Sequence, residues 1–299
     1  MTEPLLYRDG SPVRVVDLHV HVQPWDELLP PVAAAMKSSR KDLADIERYI
    51  EEPSEFLSFL DTQGVARAAL INYPSQDLMG FGASVNDYCA AYRNRAASRI
   101  IAFGGMHPRF VVGVEAAEME MTRLLDDLKL DGIKVHPPHQ LIHANGYIDG
   151  GLDSLRVLYA RCEAMGVPVM IHSGTSVFPQ ARGKYGDPMD IDDVAVDFPK
   201  LRILLAHGGR PIWMETAFHL ARRHRGVHLE LSGIPPKNLL EYFPKLESIA
   251  DKCAFGTDWP SPGVRSIREN VEAFLALPLA DDAKRRILSG TADLLFPPR

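Results

Sequence analysis

Eight short apolar segments, each followed by a longer stretch of helical periodicity, constrain this 299-residue chain more than any other feature. The segments are Val13–Val20, Val65–Asn72, Arg99–Gly105, Asp131–His136, Val167–His172, Leu201–His207, Val227–Ser232 and Lys252–Asp258. Helical patterns separate them, over Glu55–Gln63, Val85–Ala97, Glu115–Leu128, Leu152–Met165, Ile191–Phe198, Met214–Arg223 and Asn238–Ile249, and two more, Ser266–Leu277 and Asp281–Leu295, close the chain. No two strand segments are consecutive, and strict alternation predicts a parallel sheet. Eight strand–helix units in this length predict an α/β fold, a closed (β/α)8 or TIM barrel rather than an open sheet, with residues 1–299 forming one domain. Gly64, Gly132, Gly166 and Gly226 stand just before strands, where a helix ending in left-handed backbone wants glycine. Three strand-to-helix connections are long, Gln23–Ser54, Pro137–Gly151 and Ser173–Asp190. In a barrel these lie on the face where active sites are built, and they suit a lid or a substrate-shaping role.

The polar residues sit where barrel chemistry needs them. The first segment ends Asp17-Leu18-His19-Val20-His21. Side chains alternate faces along a strand, so His19 and His21 share one face while Val16, Leu18 and Val20 turn to the covering helices. Two imidazoles so spaced can bind one metal ion together; a lone pair of interior histidines is the plain alternative. The pattern then recurs, with His172 ending the fifth segment, His207 the sixth and Asp258 the eighth. Four separate strands bringing His or Asp to one rim is hard to reconcile with core packing, because burying that many polar groups is costly.

This ordered set resembles the amidohydrolase superfamily, and within it the amidohydrolase-2 group that includes aminocarboxymuconate semialdehyde decarboxylase. The likeness runs from Asp17–His21 to the closing Ala292–Phe296. It implies that His19, His21, His172 and Asp258 hold one divalent ion, with His207 beside it as a catalytic residue. Three imidazoles and a carboxylate leave an open position, as a catalytic zinc site requires, although manganese or iron(II) suits the same donors. The ion would lower the pKa of bound water towards ~7. Asp258 would both ligate and accept a proton, and His207 would polarise a substrate oxygen or shuttle a proton. The resemblance implies hydrolysis of an amide, lactone or C–C bond in a small organic substrate. The alternative is non-oxidative decarboxylation of an aromatic or unsaturated acid at the same centre.

Lys134 and His136 share the inward face of the fourth segment, with Ile133 and Val135 on the other. In some branches of the superfamily a carboxylated lysine here bridges two ions, which His172 and His207 would help to hold; one ion is the preferred reading. An unmodified Lys134 would instead pair with a substrate carboxylate or with Asp258. Arg210 is a candidate anion clamp, with Arg182 and Arg109 as weaker ones. Asp17, Glu230 and Ser232 point inward as partners of a ligand or as satisfied interior groups. His107, His139 and His143 read as surface histidines of the active rim, Trp213 and Trp259 as packing aromatics, and His219, His224 and His228 show no pattern.

Composition closes off other classes. A net charge of −6 argues against nucleic acid, and the basic runs at Arg222–Arg225 and Lys284–Arg286 read as solvated helix faces. The three cysteines, Cys89, Cys162 and Cys253, form no CxxC pair or disulfide framework, which fits a reducing cytoplasm. The start, Met1-Thr2-Glu3-Pro4, lacks the pattern of a signal peptide, and no apolar run approaches the ~20 residues of a membrane helix. The resemblance adds the expectation of a homodimer.

Overall fold

The computed structural model describes residues 3–38 and 40–298; Met1 and Thr2, part of the segment read above as lacking a leader, lie outside them. Eight parallel strands form one sheet in sequential order: β1 Val16–Val20, β2 Arg67–Ile71, β3 Ile100–Gly104, β4 Gly132–Val135, β5 Val169–Gly174, β6 Ile203–Arg210, β7 Val227–Glu230 and β8 Cys253–Ala254. The segment after β8 closes the circle against β1: Leu18 N–H donates to Phe255 O (3.0 Å), Asp258 N–H to His19 O (2.8 Å) and His21 N–H to Trp259 O (2.8 Å). The expected barrel is therefore the observed one.

Two apolar layers follow from strand alternation. Val20, Ala68, Leu70, Ile133, Val135, Val169, Ile171, Leu205 and Leu229 pack outward in one large cluster with the helices. A smaller cluster fills the interior, built from Val16, Leu18, Ile71, Ile101, Phe103, Met170, Leu204 and Ala254 and closed by Leu295 and Phe296 of the last helix, Thr291–Leu295 and its cap. Val16 and Leu18 thus face inward, contrary to the expectation from simple alternation. The reason is a register shift between Asp17 and Val20 in the β1–β2 ladder. A bulge there resets the face, so that Leu18 below it and His19 above it both point inward.

The covering helices are amphipathic. In Met214–Arg223 the buried positions are Met214, Ala217, Leu220 and Ala221, the i, i+3, i+6, i+7 stripe of a helix on a sheet. Gly64 and Gly166 end their helices in left-handed backbone, at φ 76° and 65°. Gly132 and Gly226 do not. Gly132 opens β4 under the Phe103 ring, and a Cβ at Gly226 would meet the Leu201 carbonyl, so both are required for space. The connection Gln23–Ser54 is structured, holding the helices Pro30–Ser38 and Leu43–Glu51. Among the described residues, no helix is long and apolar enough to cross a membrane.

Candidate active site

At the C-terminal end of the barrel His19, His21, Lys134, His136, His172, His207, Arg210 and Asp258 all line one pocket that opens to solvent. Each imidazole of the centre has one nitrogen engaged by the scaffold. His19 Nδ1 lies 2.8 Å from Glu230 Oε2, His21 Nδ1 3.2 Å from the Ile71 carbonyl, and His207 Nδ1 3.1 Å from the Ser232 carbonyl and 2.9 Å from its Oγ. His172 is held the other way, its Nε2 3.3 Å from the Thr175 carbonyl, whereas the Nε2 atoms of His19 and His21 are left to face the centre. There His21 Nε2 is 3.0 Å and His19 Nε2 3.8 Å from Asp258 Oδ1. Among the described residues, His19, His207 and Asp258 offer ligand atoms that all lie within 4.8 Å of one another. His21 and His172 stand outside that threesome, although His172 Nδ1 is buried and has no hydrogen-bond partner.

Two of these residues are aimed by unusual backbone. His207 has φ 66° and Asp258 φ 69°, left-handed values that a non-glycine residue adopts at a cost. Between the pairs His172–Ala206 and Gly174–Arg210, β6 advances four residues while β5 advances two. His207 sits in that excess. Its neighbour Ala206 already faces the interior, and the left-handed step turns His207 inward as well.

Around the centre the polar groups are tightly held. Asp17 accepts from the backbone N–H of His19 and of Thr257 (both 3.0 Å) and from Thr257 Oγ1 (2.6 Å), tying β1 to the segment that carries Asp258. Burial pushes Asp17 up to about 7 despite those bonds. Glu230 accepts from Ser232 N–H (2.8 Å) and Oγ (2.7 Å), and burial raises its carboxyl above the usual range. For Asp258 burial also acts upward, but the His21 hydrogen bond, the neighbouring imidazoles and the Arg210 guanidinium outweigh it and hold the carboxyl well below normal. Arg210 Nη2 lies 3.3 Å from Asp258 Oδ2. Burial lowers the pKa of His19, His172 and His207 and so favours their neutral form.

The sequence reading missed a second group. His139 is buried, not a surface histidine: its Nδ1 lies 2.9 Å from Tyr73 Oη and its Nε2 2.7 Å from Ser176 Oγ. Its ring stacks at 3.6 Å on His136, which stacks at 3.9 Å on His172. Only the proline-rich turn Pro137-Pro138 after β4 hints at this, by forcing the short helix Pro137–Gln140 that folds His139 back over the pocket. His107 is likewise buried, against Phe110, whereas His143 is exposed and paired with Asp190. Arg109 and Arg182 are outside the pocket lining, and Trp259 packs on Phe56 and Phe59.

A family model described as amidohydrolase matches residues 16–297. No curated protein matches the sequence. Among solved structures, an uncharacterised TIM-barrel protein from Bordetella bronchiseptica superposes with TM-score 0.74 at 22% identity, over 95% of this chain and 98% of that one. 5-Carboxyvanillate decarboxylase LigW from Sphingomonas paucimobilis superposes with TM-score 0.63 at 18% identity, over 96% and 99%. 4-Oxalomesaconate hydratase LigJ from Rhodopseudomonas palustris gives 0.63 at 13% identity, over 95% of each chain. At such identities the likeness is one of fold.

Proposed function

The chain belongs to the amidohydrolase family, and from that premise we propose that His19, His21, His172 and Asp258 hold one divalent ion, with His207 working beside it, to hydrolyse a small organic substrate. The observation that carries this reading is the approach of both β1 imidazoles to Asp258 Oδ1, with the Nδ1 of His19 already engaged by Glu230 and that of His21 by the Ile71 carbonyl. An imidazole whose Nδ1–H is given to a carboxylate or carbonyl presents its Nε2 lone pair to a cation. Contacts of 3.0 and 3.8 Å between His Nε2 and Asp258 Oδ1 are of the size of the separations, roughly 3–3.5 Å, between neighbouring donors with ~2.0–2.1 Å bonds to one shared ion. The unpartnered, buried Nδ1 of His172 supports its inclusion. Zinc suits these donors best, and manganese or iron(II) takes the same set. Bound there, the ion would supply Lewis acidity to a substrate oxygen or to water.

The chain's own groups do the rest. Asp258 brings the negative charge that balances a cation among neutral imidazoles. His207, whose neutral form burial favours and which Ser232 orients, is placed to accept a proton at Nε2 and return it to the leaving group. Tyr73, His136 and His139 make one wall of planar rings against which a flat substrate can lie. Decarboxylation of an unsaturated acid at this centre is the second reading, favoured by the cations Lys134 and Arg210 in the pocket and by the fold relative named as a decarboxylase. A reducing cytoplasm, suggested by three free buried cysteines, one domain over residues 1–299 and a homodimeric state belong to the same proposal.

Elemental analysis of the purified protein should find one ion per chain, and dipicolinate should remove it together with all turnover. Two ions per chain after growth with added bicarbonate would point instead to a carboxylated Lys134 bridge. Metal-loaded protein offered lactones, amides and unsaturated acids should release acid without CO₂. Release of CO₂ with no net uptake of water would replace hydrolysis by the second reading.

A further inference from the structure

We infer that Lys134 is the receptor for an anionic group of the substrate, a carboxylate, which enters the pocket beside Arg210; this rests on the reading that the pocket is the reaction centre. Lys134 is fully buried on β4, turned into the barrel between the outward-packed Ile133 and Val135, and it lines the pocket. Its Nζ is buried and has no hydrogen-bond partner. An ammonium carries three N–H donors and no acceptor, so taking it out of water without a partner is costly.

The neighbouring carboxylates are already engaged. Glu230 takes His19, the Ser232 N–H and the Ser232 hydroxyl. Asp258 takes His21 on one oxygen and Arg210 on the other. Burial pulls the Lys134 ammonium down to about 7, although the charges of Glu230 and Asp258 oppose it, and neither carboxylate reaches hydrogen-bond distance of it. Arg210 is in a similar position: Nη1 donates to the Gly233 carbonyl (2.7 Å) and Nη2 to Asp258, while its buried Nε has no partner. Two cations with unused donors on one pocket are what a carboxylate complements, since charge-assisted bonds to it are the strongest these donors can make. A buried charge left without a partner destabilises the fold, and a ligand that supplies the missing acceptor removes that penalty only when bound.

Benzoate and its neutral isostere benzamide probe this directly. Both are titrated by calorimetry into the whole chain, stripped of metal by dipicolinate and, in parallel, loaded with zinc. The wild-type protein should prefer benzoate. Lys134→Met should weaken benzoate by about tenfold or more and leave benzamide unchanged. Its melting temperature should hold or rise, because an unpaired buried charge is gone. Should Lys134→Met fail to fold, Lys134→Gln carries the same comparison. Equal benzoate affinity with and without the lysine overturns the inference. So does a wild-type protein that does not prefer benzoate, and so does a bicarbonate-derived carbamate on Lys134 seen by ¹³C NMR. Zinc content, read on the same samples, reports separately on the metal centre; its failure leaves the metal-free titration interpretable.

Discussion

His19 illustrates how a single residue is made ready for a cation. Its Nδ1 is engaged by Glu230, Glu230 is engaged by Ser232, and all three are buried. Removing the carboxylate charge at the far end should loosen the ring and lower its basicity. Glu230→Gln should therefore weaken metal affinity by about 10–100-fold, read by competition with a chromophoric chelator. Unchanged affinity would mean that Glu230 is a structural carboxylate. His207 and Asp258 could be read as ligand-type residues from their place after apolar runs, but not their aim. Each depends on left-handed backbone worth about 1–3 kcal/mol of strain, which nothing in the local composition announces. His139 was misread for a related reason: a histidine between a proline pair and Gln140 has no local sign of burial, and its partners Tyr73 and Ser176 come from other loops.

Strands deliver these residues, and small departures from regular pairing do the aiming. The register shift in β1 lets His19 and Leu18 both face inward, and the excess in β6 does the same for Ala206 and His207. Pattern alternation found the strands but could not foresee either shift, because a bulge is set by the neighbouring strand. The segment after β8 shows a further requirement. Gly256 faces Glu230, and a Cβ there would fall on Glu230 Oε1 and within 3.0 Å of the His19 Cβ. Gly256→Ala should destabilise the fold by about 1–3 kcal/mol and, by displacing Glu230, weaken metal binding as well. Chemical denaturation with chelator competition checks both effects. A variant that keeps full metal affinity would show that Glu230 has room to move.

At the scale of the whole molecule, burial of imidazoles links stability to pH. His228, near the start of β7, has its pKa pulled down to about 4 by burial and by Lys252, from an ordinary value of 6.5. The unfolded chain therefore binds the proton first. The stabilisation is complete above pH 6.5 and is lost as pH falls towards 4, by on the order of 2–3 kcal/mol for this residue. Thermal unfolding followed from pH 7 to pH 4 should show that loss, and His228→Asn should flatten part of it; an identical slope in the variant would remove His228 from the account. Taken alone, the sequence determined the alternation, the eightfold count, the barrel, and the residue types waiting at the strand ends, because backbone periodicity and the apolar effect act over a few residues at a time. Only the tertiary structure decided which nitrogen of each histidine faces inward, that Lys134 is left without an acceptor, and that Tyr73, His139 and Ser176 meet. Those outcomes depend on closure of the barrel and on contacts between residues far apart in the chain, where direction matters as much as identity.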